Sequence, residues 1–314
     1  MYENNYKILS ELVKSGDIII PVSEHRKPDG TFDLERNKKT WNAAIERFDR
    51  IPLWENGAPD YNPEKDPLQP EPSIIFVPAQ GQKERKGTIL VAHGGAFQSR
   101  TGCEGINVAY YFANAGFNTA ILTYRLEPYT RFDAINDMQR AIRYLRAKKD
   151  EFGITDKVCV MGFSAGGMLS AICSTHYDYG NESAEDPIDR PSCRPDATVI
   201  SYGIFTFIEF PAGMMINPFE NENIKEMYYL APEANVNPDN PPFFIWQTIS
   251  DDPRHSFTLG NALTAAGVPF EMHIFPEGIH GLALADGNND LGSDLPHVAH
   301  WAELCTEWLQ EKGI

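Results

Sequence analysis

From residue 73 onward, short and almost wholly apolar runs alternate with longer amphipathic stretches. Ser73–Pro78, Thr88–Ala92, Asn118–Tyr124, Lys157–Gly162, Ala197–Tyr202, Phe243–Thr248 and Phe270–Phe275 have the length and the Val/Ile/Phe content of buried strands. Between them, Glu104–Ala115, Arg131–Lys149, Ser164–Ser174, Ser256–Ala266 and His297–Gln310 carry helical periodicity. Ala134, Met138, Ile142 and Leu145 form the apolar stripe of the longest of these, and Gly116 is placed to end the first. Strands that are apolar on both faces and alternate with helices imply an α/β fold. The sheet is expected to be doubly wound and mostly parallel, with helices on both faces. In such sheets the functional groups gather at the carboxyl ends of the strands.

Two regions break this rhythm. Residues 1–50 form an N-terminal extension, with a helix expected over Asn5–Val13, an apolar run at Ile18–Val22 and a second helix over Thr40–Phe48 capped by Thr40. The catalytic domain is expected to span 51–314, entered through a Pro-, Asn- and Gly-rich extended loop from Ile51 to Pro72. Within it, 203–240 places Phe205, Phe207, Phe210, Met214, Met215, Tyr228 and Tyr229 among prolines and asparagines. That composition fits either a small lid insertion over the site or a surface excursion packing its own aromatics.

Composition changes the picture mainly by exclusion. A chain of 314 residues with 42% hydrophobic and 23% charged residues can bury a large core. Its net charge of −17 argues against nucleic-acid partners and against docking on anionic membranes. There is no membrane-spanning run, and Met1–Lys7 has neither a basic start nor an apolar segment, so a cytoplasmic protein is expected. The five cysteines (Cys103, Cys159, Cys173, Cys193, Cys305) are scattered and unpaired in pattern, as in a reducing compartment.

The candidate chemistry centres on Gly162-Phe-Ser-Ala-Gly166, a Gly-x-Ser-x-Gly turn between an expected strand and an expected helix. Such a turn lifts the serine hydroxyl above the sheet edge on a strained backbone, with glycines where a Cβ would crowd it. A serine needs a base, and the base an orienting acid. Asp251-Asp252 follows one expected strand and His280 the next, giving the chain order Ser, Asp, His. Of the two aspartates, Asp252 is expected to be the acid, with Asp251 its capping neighbour. His93-Gly-Gly-Ala-Phe97 follows a strand as an oxyanion loop should. The backbone amides of Gly95 or Ala96, with that of Ala165, are the expected donors, and His93 a buttress of the loop. His273, His280, His297 and His300 lack the spacing of metal ligands, and no Gly-x-Gly-x-x-Gly follows a strand; neither metal nor cofactor is expected.

With these residues assembled, the chain from Ile51 to its end resembles the esterase/lipase family of α/β-hydrolases. Within it, the branch holding carbohydrate acetylesterases and acetyl-xylan esterases fits best. The marks are Ile51-Pro-Leu-Trp-Glu-Asn-Gly-Ala-Pro59, His93-Gly-Gly-Ala-Phe97 with Glu104-Gly105, Leu122-Thr-Tyr-Arg125, Asp137-Met-Gln-Arg-Ala141, Gly162-Phe-Ser-Ala-Gly-Gly167, Pro241-Pro-Phe-Phe-Ile-Trp246, Asp251-Asp252-Pro253 and Phe275-Pro-Glu-Gly-Ile-His-Gly281. The resemblance implies an α/β-hydrolase fold with Ser164, Asp252 and His280 as triad. It also implies a small-molecule ester substrate, with acetylated oligosaccharides among the candidates. The chain departs from that branch where a Pro-Gly-Gly-Gly loop becomes His93-Gly-Gly-Ala96, and where Arg254-His255-Ser256 follows the acid. A serine peptidase of the prolyl-oligopeptidase type shares the triad order, but 50 extra residues do not supply its propeller. A noncatalytic binding protein on this fold would typically lack a triad member. The acyl length, the alcohol and the oligomeric state are not written in the sequence.

Overall fold

The computed structural model describes residues 2–81, 84–203 and 224–314. Its strands are β1 (Ile51–Pro52), β2 (Ser73–Val77), β3 (Thr88–Ala92), β4 (Asn118–Thr123), β5 (Val158–Phe163), β6 (Ala197–Ser201), β7 (Phe243–Thr248) and β8 (Phe270–Phe275). They form one eight-stranded sheet in the order β1-β2-β4-β3-β5-β6-β7-β8. β2 runs antiparallel to β1 and β4, and every other pairing is parallel. β5 lies at the centre, flanked by β3 and β6, so the chain ends that carry the expected chemistry emerge side by side.

The helices are α1 (Glu3–Ser15), α2 (Leu34–Ile45), α3 (Val108–Asn114), α4 (Arg131–Ala147), α5 (Lys149–Phe152), α6 (Ala165–Thr175), α7 (Ile224–Leu230), α8 (Pro232–Asn235), α9 (Arg254–Ala266) and α10 (Pro296–Glu311). The period-two alternation of the strands sorts the core into two layers. Ile75, Val77, Ile89, Val91, Ile121, Met161, Val199, Phe244 and Trp246 face one way, onto residues of α1, α2, α3 and α10. Ile74, Phe76, Leu90, Leu122, Val160, Ile200, Phe243 and Ile245 face the other, onto residues of α4, α6 and α9. All eleven residues of α6 are buried, so it is a core helix rather than an amphipathic surface one. Arg125, just after β4, is tied to Asp137 of α4 by a 2.7 Å side-chain bond and by its own backbone N–H at 2.8 Å. That buried pair fixes the longest helix against the sheet.

Several boundaries move from the sequence reading for physical reasons. The second N-terminal helix starts at Leu34, not Thr40, because the Asp33 carboxylate caps it by accepting from the Arg36 N–H; Thr40 lies inside the helix. The helix expected from Glu104 opens with a wide π-type turn over Cys103–Asn107. α4 begins at Arg131, as expected from the sequence, because Thr130 and Asp133 cap one another reciprocally. The loop expected from Ile51 contributes a two-residue strand at its start. The N-terminal extension packs onto the body, with Ile8, Leu9, Leu12, Ile18, Trp41 and Ile45 buried in the first layer. Of the proposed lid at 203–240, Phe205, Phe207, Phe210, Met214 and Met215 lie outside the described residues, whereas Tyr228 and Tyr229 are exposed on α7. No described helix is long and apolar enough to cross a membrane.

Candidate active site

The central strand β5 is buried along its whole length and delivers the chain to Ser164. There the backbone takes φ 52° and ψ −116°, a conformation that L-residues avoid, and α6 begins at the next residue. The Ser164 N–H donates to the Ser201 carbonyl at 3.0 Å, extending the β5–β6 ladder into the turn. A Cβ at Gly162 would run into the Gly166 carbonyl, and one at Gly166 into the carbonyls of Ala92 and His93. Both glycines are therefore required by close backbone approach. A strained backbone that persists inside such constraints is characteristic of a functional turn.

The Ser164 hydroxyl lies 2.7 Å from His280 Nε2, to which it donates when the imidazole is neutral. On the far side of the ring, His280 Nδ1 donates to Asp251 Oδ2 at 2.8 Å and faces Oδ1 at 3.0 Å. Burial alone would lower the His280 pKa. The hydrogen bond and charge of Asp251, with the charge of Glu104, outweigh it and hold the imidazole above its ordinary value of 6.5. The same two carboxylates would stabilise an imidazolium at this position.

The acid position corrects the sequence reading. Asp252 does not face His280; it turns outward and receives Arg254 Nε at 2.6 Å. That guanidinium holds the Asp252 carboxyl below its usual range. The cause is a reversal of the chain: Ile249–Asp251 forms one tight helical turn, and Asp252 takes φ 42°. Successive carboxylates consequently diverge, and Asp251 turns inward. The buried Gln247 side chain fixes the reversal by donating to the Asp251 carbonyl while accepting from the Ser256 hydroxyl at 2.5 Å. The side-chain direction out of this turn has no signature in the sequence.

Beside the serine, Gly95, Ala96 and Phe97 all have positive φ, at 114°, 54° and 58°. The Gly95 carbonyl accepts from the Gln98 and Ser99 N–H groups, closing the loop on itself. Among the described residues the Gly95 and Ala96 N–H groups have no protein acceptor, and Ala165 opens α6, whose first N–H groups point out of the helix. The amides of Gly95, Ala96 and Ala165 are thus the candidates for the oxyanion donors expected from the sequence. His93 is fully buried, with its pKa pushed down to about 3 first by burial and then by the Arg100 charge. It stacks on Tyr124 at 4.5 Å and donates from Nδ1 to the Gly94 carbonyl at 2.8 Å. It is a neutral prop for the loop. Of the remaining histidines, His273 sits on Glu271 at 2.7 Å and His297 packs against Phe275.

Two residues that sequence reasoning gave no role complete the surroundings. Glu104 is buried and accepts from the Gly94 N–H at 2.7 Å and from the Tyr202 hydroxyl at 2.8 Å. Tyr202 lies edge-on to the His280 ring, with centroids 5.1 Å apart. A signal for Glu104 did exist: it is the only charged residue between Cys103 and Ala115. Tyr202 had none, since it reads as the last residue of a strand.

Residues 74–259 match the model of the BD-FAE family. Endo-1,4-beta-xylanase B of Butyrivibrio fibrisolvens is 28% identical over 258 residues, which cover 77% of this chain and 39% of that protein. The chain thus spans about two fifths of the length of that relative. An acetyl ester-xyloside bifunctional hydrolase from Caldicellulosiruptor lactoaceticus superposes with a TM-score of 0.75 at 32% identity, covering 84% of this chain and 96% of the other. A sugar hydrolase from Lactococcus lactis superposes with a TM-score of 0.62 at 26% identity, covering 77% and 94%.

Proposed function

We propose that this chain, which belongs to the BD-FAE family of α/β-hydrolases, is a serine esterase that removes short acyl groups, acetyl foremost, from carbohydrate alcohols. The observation that carries the reading is the continuous Ser164–His280–Asp251 relay, at 2.7 and 2.8 Å, on a strained turn held by the close approach of Gly162 and Gly166 to neighbouring backbone.

In this reading the Ser164 oxygen attacks the acyl carbonyl while His280 Nε2 takes its proton, and Asp251 steadies the resulting imidazolium. The carbonyl oxygen becomes an oxyanion, which accepts from the amides of Ala165 and of Gly95 or Ala96. The carbon–oxygen bond to the sugar breaks as His280 returns its proton to the departing alkoxide, leaving an acyl-serine ester. Water then attacks that ester, His280 takes the water's proton, and collapse of the second tetrahedral intermediate frees the carboxylic acid and returns the proton to Ser164. An oxyanion-hole donor typically contributes about 100- to 1000-fold in rate.

The substrate class leans on the relatives. One is a bifunctional hydrolase of acetyl esters and xylosides, and another is a sugar hydrolase. The cysteines are free and buried, as suits a reducing compartment, and a cytoplasmic site of action belongs to this proposal. The test is hydrolysis of 4-nitrophenyl acetate, butyrate and octanoate, and of an acetylated xylo-oligosaccharide, by wild type and Ser164→Ala. The expected result is preference for acetate, release of acetate from the sugar and a loss on the order of 10⁶-fold in kcat for the variant. Equal activity of the two proteins would overturn the mechanism. Activity on the chromogenic esters alone would overturn the carbohydrate assignment.

A further inference from the structure

The Glu104 carboxylate sits at the junction of the two loops that the reaction has to keep in register. One oxygen holds the Gly94 N–H, the first peptide of the oxyanion loop. The approach is so close that a Cβ at Gly94 would strike both this oxygen and the Ser164 side chain. The other oxygen accepts from the Tyr202 hydroxyl, which itself accepts from the Ala283 N–H, three residues past His280. Tyr202 has φ 39°, an uncommon conformation for a bulky residue, and is pinned there by its own N–H bond to the Trp246 carbonyl at 2.8 Å. Its ring spans the gap to His280. A single buried acid therefore links the oxyanion loop to the histidine loop through two hydrogen bonds and one aromatic contact.

Burying a carboxylate without a cation is costly, and a glutamine would supply an acceptor of the same shape. Among the described residues no lysine or arginine forms an ion pair or hydrogen bond with Glu104. The titratable groups that act on it are Tyr202 at the end of β6, His280 and Asp290 on the loops after β8, and the neighbouring Cys103 and Tyr124. Of these, only His280 becomes positive during an acyl transfer.

We propose that Glu104 is a positioning residue of the esterase: it sets the oxyanion loop through Gly94, holds the His280 loop through Tyr202, and supplies a second negative charge that favours the His280 imidazolium. The inference rests on the esterase reading for its catalytic meaning, but the charge coupling stands apart from any substrate. Burial pushes the Glu104 carboxyl up to about 7, against the opposing pull of Tyr202, His280 and the Gly94 amide. Its ionisation is therefore coupled to that of His280, whose pKa it helps to raise. Ionised, it raises the histidine's pKa; neutral, it withdraws that support.

The experiment compares wild type and Glu104→Gln by two independent readouts. The first is the NMR titration of the His280 ring, assigned by its absence in His280→Ala, which needs no turnover. The second is the pH profile of kcat/KM on 4-nitrophenyl acetate. In Glu104→Gln the His280 titration and the acid limb should both move to lower pH by about half a unit or more. kcat should fall about tenfold or more with KM within about twofold. An unmoved His280 titration in a folded variant would overturn the charge coupling, whereas a moved titration without ester hydrolysis in either protein would overturn the esterase reading alone. Should Glu104→Gln fail to fold, Tyr202→Phe decides, since it keeps the ring against His280 and removes only the hydroxyl between Glu104 and Ala283: a fall in kcat with KM within about twofold supports the proposal, and an unchanged kcat would overturn the link to the histidine loop.

Discussion

The turn at the end of β5 and the turn at the end of β7 both deliver a side chain of the Ser164–His280–Asp251 relay, yet they are built on opposite principles. At the first, backbone alone determines the outcome. Gly162 and Gly166 leave no room for a Cβ, Ser164 is forced to φ 52°, and the hydroxyl points up because nothing else fits. At the second, two aspartates stand side by side in an open reversal, and the conformation of Asp252 decides which carboxylate faces the histidine. The first turn is a local steric statement written in glycines. The second is a choice between equal residues, settled by Gln247 and by where β8 brings His280.

The sharpest way to separate the two carboxylates is to neutralise each in turn. Asp251→Asn removes the acid on Nδ1 and admits the wrong tautomer; kcat should drop on the order of 10⁴-fold, the size seen when the orienting acid of a serine protease is amidated. Residual activity should also change its pH profile. In wild type the acid limb should lie above 6.5, because His280 must lose a proton that Asp251 and Glu104 help it keep; without Asp251 the limb should move down. Asp252→Asn disturbs only an exposed pair with Arg254, and asparagine tolerates positive φ, so kcat should stay within about twofold. Steady-state kinetics across pH on an acetate ester checks both. A large loss at Asp252 with little at Asp251 would invert the assignment.

A smaller effect is expected from the turn that admits no side chain. Gly162→Ala sets a methyl against the Gly166 carbonyl, so β5 and α6 have to part slightly. Overpacking of this kind costs about 1–3 kcal/mol, which in a chain of this length lowers the thermal midpoint by roughly 1–5 °C. A displacement of the serine by even part of an ångström should reduce kcat about 100-fold. Calorimetry and kinetics on one sample read both. An unchanged midpoint would mean that the turn is looser than its contacts imply.

These cases mark how far the sequence could be read. The sheet, its helices, the serine turn and the histidine were visible because each is a local pattern: an apolar run, a 3.6-residue stripe, a glycine where a Cβ is forbidden. The misplaced acid was not, since Asp251 and Asp252 are the same residue type and differ only in a backbone angle. Glu104 was half visible, as a lone charge in an apolar helix whose partners, Gly94 and Tyr202, are 10 and 98 residues away. The N-terminal cap was misplaced because Asp33 and Thr40 both precede plausible helix, and the Asp33 carboxylate, accepting from the Arg36 N–H, takes the cap. What the sequence left open was mainly side-chain direction and the partners of buried groups.

The same reasoning gives the extension a purpose that its sequence did not declare. The Asn37 side chain donates to the Arg100 carbonyl at 2.9 Å and accepts from the Arg100 N–H at 2.8 Å, clasping the chain just past the oxyanion loop. Four residues on, Trp41 packs its ring edge against His93 and lies over Gly105, beside Glu104. Farther back, Ile18 fills the space that a side chain at Gly102 would need. α2 is thus a brace on the outer side of the loop, whereas Glu104 holds it from within. Asn37→Ala should remove about 1–2 kcal/mol of stability through the two lost bonds. It should lower kcat by only about threefold to tenfold with KM unchanged, because Glu104 still holds Gly94. If kcat instead stays at the wild-type value while stability falls, the brace supports the fold without reaching the loop, and the contrast between a locally determined turn and a tertiary support would then apply to stability alone.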